Sequence, residues 1–133
     1  MFANTQMMGV DLAFPDVCLT PVPPAPAPVP IPYPDIAAGP SAVPAQGKVL
    51  FACAPAHNLG TVTPITNGDS LGVGTGVASV SVMGPNRPLT GAFTTLLVGM
   101  PATRLTSANI QNNTNAPGVR LVPSQPKVLI FSP

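Results

Sequence analysis

Residues 49–61 read VLFACAPAHNLGT, and residues 95–107 read TLLVGMPATRLTS. The stretches lie 46 residues apart and share one skeleton: apolar residues, a small or soft pair, Pro-Ala, two variable residues, Leu, then a small polar residue. Each opens as a short apolar strand that cannot bury its own face. Units of this kind become stable by packing against one another. A shorter echo, Pro-x-x-x-Leu, starts at Pro15 as well as at Pro55 and Pro101. Two readings follow. Either three extended units pack around a common axis and give one chain pseudo-threefold symmetry, or an ordinary hairpin has been duplicated.

Outward from the repeat, the apolar runs are all short. Residues 48–52 (KVLFA), 77–83 (VASVSVM), 93–98 (FTTLLV) and 127–131 (KVLIF) read as strands, and residues 9–20 as a strand or extended arm. Turn signals separate them at residues 67–69 (NGD), 84–86 (GPN) and 112–118 (NNTNAPG). Short strands broken by Gly, Pro and Asn clusters predict an all-β fold. The length of 133 residues fits one domain, residues 1–133. Twenty prolines exclude a helical protein, because each blocks a helix interior at about 3 kcal/mol.

Residues 21–34 read PVPPAPAPVPIPYP. Proline fixes φ and holds its predecessor extended, so polyproline II is expected, spanning roughly 40 Å at about 3.1 Å per residue. Val22, Val29, Ile31 and Tyr33 favour a stiff strap on the domain's own surface over a free linker.

Charge restricts function. Charged residues are 7% of the chain, the net charge is +1, and glutamate is absent. That excludes a basic face for nucleic acid and the paired carboxylates of most acid–base catalysis. His57 with Asp69 makes no hydrolytic triad without a nucleophile and an oxyanion site, so the chain is not expected to be an enzyme. Residues 72–76 (GVGTG) lack the spacing of a dinucleotide cradle and predict close backbone packing. No apolar run reaches transmembrane length, and residues 1–6 (MFANTQ) lack the features of a signal peptide. So apolar a chain with so little charge predicts a large surface kept against a partner.

The segment Met100-Pro101-Ala102-Thr103-Arg104 is similar to the Pro-Ala-Ala-Arg signature of the PAAR proteins. The chain resembles their PAAR-like branch through a series of strings in order: MFANTQ, FPDVCLTP, the proline-rich strap, PAHNL, TNGDSLGVGTGVASVSVMGP, GMPATRLTS and NTNAPG. The resemblance implies a small conical all-β tip. Its broad end would cap the trimeric VgrG-type spike of a type VI secretion system or related contractile injection machine, one chain per three spike chains. Its point would lead into the target membrane, carrying a separate effector or that effector's adaptor or chaperone. Such a protein assembles in the bacterial cytoplasm and leaves on the spike. The alternative role is an adaptor that recruits an effector or chaperone to the spike.

Many tips of this family bind one zinc ion through three His and one Cys. This chain has one His, so the candidate ligands are Cys18, Cys53 and His57 with a fourth group such as an Asp or water. Cys53 and His57 stand four apart, within reach of one tight turn. Plain packing of both cysteines and a Cys18–Cys53 disulfide are the competing readings.

Overall fold

Proline-rich sequence keeps this backbone extended. The computed structural model describes residues 1–131 and contains strands but no α-helix among them. In chain order the strands are β1 Val10–Thr20, β2 Val29–Ala38, β3 Gln46–Phe51, β4 Ala54–Ala56, β5 Arg87–Pro88, β6 Ala92–Leu97, β7 Met100–Ala102, β8 Ala108–Gln111 and β9 Ala116–Val122. One antiparallel sheet has the order β2-β1-β9-β8-β5, while β3-β4 and β6-β7 form separate hairpins.

Those two hairpins are the repeat. Leu50 faces Pro55 and Phe51 faces Ala54 in the first; Leu96 faces Pro101 and Leu97 faces Met100 in the second. Every partner is displaced by the 46 residues of the sequence offset, and both ladders break at the same step. Both turns, Ala52-Cys53 and Val98-Gly99, place two successive residues at positive φ. That is the backbone of a type I′ turn, whose twist matches that of paired strands.

A third hairpin closes the set, assembled from the two ends of the chain. Leu129 bridges Phe2, the Ala3 N–H donates to the Val128 carbonyl, and the Ile130 N–H donates to the Met1 carbonyl. Leu129 therefore occupies the place of Leu50 and Leu96, and Ala3 that of Ala56 and Ala102. The three units join in a ring. The Asn4 N–H donates to Thr103 O at 3.0 Å, Thr103 N–H to His57 O at 3.2 Å, and His57 N–H to Asn4 O at 3.0 Å. A second ring surrounds it: Gln6 N–H to Pro55 O, Leu59 N–H to Pro101 O, and Leu105 N–H to Phe2 O. One chain thus has pseudo-threefold geometry, and the duplicated-hairpin reading is set aside.

The core on this axis is small. Ala3, Ala56 and Ala102 are fully buried, with Leu97 and Ile130 around them and Val49, Phe51 and Val128 packed against the group. Alanine at the three inner positions lets the hairpins approach closely, while the residue between two inward neighbours faces out. Leu50, Leu96 and Leu129 are 58%, 60% and 48% exposed.

Four sequence expectations need correction. Pro15–Leu19 is not the third repeat unit: it lies in β1, where the pairing register shifts between Ala13 and Asp16. Residues 77–83 form turns, not a strand. The Ala78 N–H is taken by Asn115 Oδ1, the Val80 N–H by Gly76 O, and the Met83 N–H by the Asp69 carboxylate, which leaves no ladder to form. Residues 127–131 narrow to a single bridge at Leu129. The strap is not one polyproline helix either. Residues 21–28 are exposed and turn back, whereas β2 pairs along the outer side of β1. Pro30, Pro32 and Pro34 alternate along this edge strand. Ile36, in the same parity, donates its N–H away from β1 to Asn67 O. The missing proline donors therefore face the open edge, where no ladder bond is lost.

Candidate functional site

β1 connects two polar centres. At its start Asp11 accepts from both Nε and Nη2 of Arg120, and Asn86 Nδ2 donates to Asp11 Oδ2 at 2.7 Å. This buried ion pair lines a small polar cavity together with Asn4, His57, Asn86 and Thr103. His57 belongs to the threefold ring. Its Nε2 contacts Gln6 Oε1 at 2.9 Å, an acceptor to which the ring donates from Nε2. Burial first, and the Arg120 charge second, lower its pKa to about 4.

At the far end of β1, Asp16 and Cys18 stand two apart on one strand face and are both fully buried. Asp69 joins them from the loop after β4, held where Asn67 bridges Ile36 of β2. One ligand atom from each of the three lies within 4.8 Å of the others. Cys18 Sγ is 3.5 Å from Asp16 Oδ1 and 3.8 Å from Asp69 Oδ2. Asn112 and Asn115, in the turn between β8 and β9, supply amide donors. Asn112 Nδ2 reaches Asp69 Oδ2 at 2.8 Å and Asp16 Oδ1 at 3.4 Å, and Asn115 Nδ2 donates to Asp16 Oδ1 and to Val17 O. Asn112 and Asn113 adopt positive φ, a conformation Asn tolerates better than most residues.

The glycine-rich stretch walls this cluster. A Cβ at Gly72 would lie 2.2 Å from Cys18 Cβ, and one at Gly74 would lie 2.6 Å from Leu19 O. The expected close backbone packing is therefore found against β1.

Electrostatics mark the cluster as unusual. Burial pushes the Cys18 thiol up to about 12, with the charges and hydrogen bonds of Asp16 and then Asp69 adding to it. Burial also raises Asp35, a fully buried neighbour on β2, to about 7, and the charges of Asp69 and Asp16 act in the same direction. Asp69 is raised by burial and by Asp16, against the lowering effect of the Met83 N–H.

Of the residues expected from sequence to bind metal, only Cys18 enters this cluster. Cys53 is exposed in the β3–β4 turn, and both cysteines are free thiols, which removes the disulfide reading. His57 lies on the hairpin axis, bonded to Gln6. A three-His, one-Cys zinc set does not fit this chain; among the described residues the converging donors are Asp16, Cys18 and Asp69. Sequence reasoning missed both aspartates. The Asp16-x-Cys18 spacing, which puts two donors on one strand face, was the available signal.

The family model described as the toxin PAAR-like domain matches residues 9–118. The chain belongs to the toxin PAAR-like domain family. Comparison with curated proteins and with solved structures finds no match. The family match spans two of the three hairpins and the whole carboxylate–thiol cluster, whereas the third hairpin lies outside it. No helix among the described residues of this PAAR-like chain is long and apolar enough to cross a membrane.

Proposed function

We propose that this PAAR-like chain is the structural tip of a contractile injection machine, capping a trimeric VgrG-type spike of the type VI secretion class. One observation carries the reading. A single polypeptide builds three equivalent hairpins around a closed ring of backbone hydrogen bonds and leaves Leu50, Leu96 and Leu129 exposed at equivalent places. A lone chain has no internal need for three matching apolar positions on its surface, whereas a homotrimer presents three identical pockets to them. The opposite end of β1, ringed by uncharged loops at residues 21–28 and 70–86, would lead into the target membrane. The work is mechanical and non-enzymatic. The protein would assemble in the bacterial cytoplasm and leave on the spike, and the zinc ion that the family resemblance implies would need ligands other than the three-His, one-Cys set.

The test is to purify the chain with its trimeric spike and weigh the complex. One copy per trimer is expected, and three copies per trimer would defeat the reading.

A second role is supported by residues 21–28, a proline-rich loop exposed at every position. Here the loop would recruit an effector, its adaptor or its chaperone. Deleting residues 21–28 while retaining β2 separates the roles: lost effector delivery with intact spike binding assigns the loop to recruitment.

A further inference from the structure

We propose that the buried Asp16–Cys18–Asp69 triangle is a histidine-free metal site, binding one zinc-class divalent ion through two carboxylates and one thiolate. The inference stands on this cluster alone and does not require the base to dock.

Three observations carry it. The first is distance. Zinc binds thiolate sulfur at about 2.3 Å and carboxylate oxygen at about 2.1 Å, so tetrahedral ligands S and O stand about 3.6 Å apart. Here Cys18 Sγ lies 3.5 Å from Asp16 Oδ1 and 3.8 Å from Asp69 Oδ2. These two sulfur–oxygen separations match those that such an ion requires.

The second is charge. Asp16, Asp35 and Asp69 are all fully buried, and the donors that reach them are neutral: the Asn112 and Asn115 amides and the backbone N–H groups of Met83 and Ile36. Arg120 is committed to Asp11 at the other end of β1. Buried carboxylates call for a cation or protons.

The third is independent of the clustering. Oδ2 of Asp16 and Oδ2 of Asp35 are buried with no hydrogen-bond partner. A buried acceptor without a donor is costly, and an ion held through both oxygens of the Asp16 carboxylate would satisfy its Oδ2.

The donor set selects the ion. A thiolate beside carboxylates suits zinc or cobalt rather than magnesium or calcium, which take oxygen ligands alone. Cys18 binds as the thiolate, and its proton passes to solvent. Asn112 and Asn115 would hold the ligating carboxylates in orientation, and the Gly72 backbone fixes Cys18 from behind.

The experiment uses the full chain, stripped with chelator and titrated with cobalt(II). One equivalent should produce tetrahedral visible bands and a thiolate-to-cobalt charge-transfer band, and zinc should displace both. The chain has two cysteines, so the exposed-site variant Cys53→Ser assigns the thiolate without disturbing the interior. A band retained in Cys53→Ser and in His57→Gln supports Cys18 as the sulfur ligand. Asp69→Asn should weaken cobalt binding at least tenfold. Absence of the charge-transfer band in the folded wild-type chain, or its loss in Cys53→Ser, would overturn the proposal. Cys18→Ser should abolish the band; if that variant does not fold, the wild-type and Cys53→Ser titrations decide the matter.

Discussion

Acid should weaken this fold through His57. Its pKa is about 4 in the native chain, lowered by burial and then by the Arg120 charge, against about 6.5 when unfolded. Above pH 6.5 the imidazole is neutral in both states and costs nothing. As pH falls below 6.5 the unfolded chain takes up the proton while the native chain refuses it, so stability drains away until about pH 4. The full interval is worth about 3 kcal/mol at 1.36 kcal/mol per unit, and about 2 kcal/mol of it is gone by pH 5. Asp35 works in the opposite sense. Its carboxyl is raised to about 7, so the native chain holds a proton there that the unfolded chain releases above about pH 4, and this contribution grows on acidification. The total pH profile therefore mixes opposed contributions, the raised Asp69 acting in the same sense as Asp35, and a variant is needed to separate them. His57→Gln keeps a neutral polar side chain at the ring. Urea unfolding of both proteins, in chelator and at intervals from pH 7.5 to 5, gives the difference directly. The stability of the wild type relative to His57→Gln should fall by about 2 kcal/mol across that range. A constant difference would refute the argument, because it would mean that native His57 titrates as freely as in the unfolded chain.

Three further perturbations test other parts of the structure. Leu50→Ser, Leu96→Ser and Leu129→Ser should each weaken spike binding about fivefold, since burying a half-exposed leucine is worth about 1 kcal/mol; calorimetry showing one dominant leucine and two silent ones would contradict equivalent threefold contacts. Val98 holds φ 53 in a turn whose second residue is Gly99, so Val98→Asn should relieve a strained β-branched residue and raise stability by about 1 kcal/mol in urea. Gly72→Ala should cost about 3 kcal/mol or more, because its Cβ would meet Cys18 Cβ at 2.2 Å, an overpacking that the backbone must shift to relieve; a thermal midpoint unchanged from wild type would show that the wall yields.

What was legible in the sequence follows from how each part is built. The 46-residue offset was visible because both hairpins make the same demands: an outward Leu between inward apolar residues, a two-residue turn, then Pro-Ala leading to the axis. The third copy was invisible to a linear scan because its strands are residues 128–130 and residues 1–3, at opposite ends of the chain. The Pro15 echo filled the vacancy wrongly, since Pro-x-x-x-Leu specifies no partner. Residues 77–83 misled for a related reason. Alternation predicts a strand only where a ladder is on offer, and here Asn115 and Asp69 capture the backbone donors from 37 and 14 residues away.

The two ends of β1 differ in the same way. Around the axis, symmetry repeats each requirement three times, so a sequence pattern accumulates. Away from the axis the chain has no such repetition, and Asp16, Cys18, Asp69 and Asn112 each appear once, drawn from β1, one loop and one turn. In a chain with four aspartates, any one of them reads as surface solvation, yet all four are buried. That inversion is the physical signature of the far end. A protein that buries every side-chain carboxylate, one against Arg120, two around a thiol and one beside them on β2, has arranged its scarce negative charge to hold strands and loops together, while Leu50, Leu96 and Leu129 stand exposed.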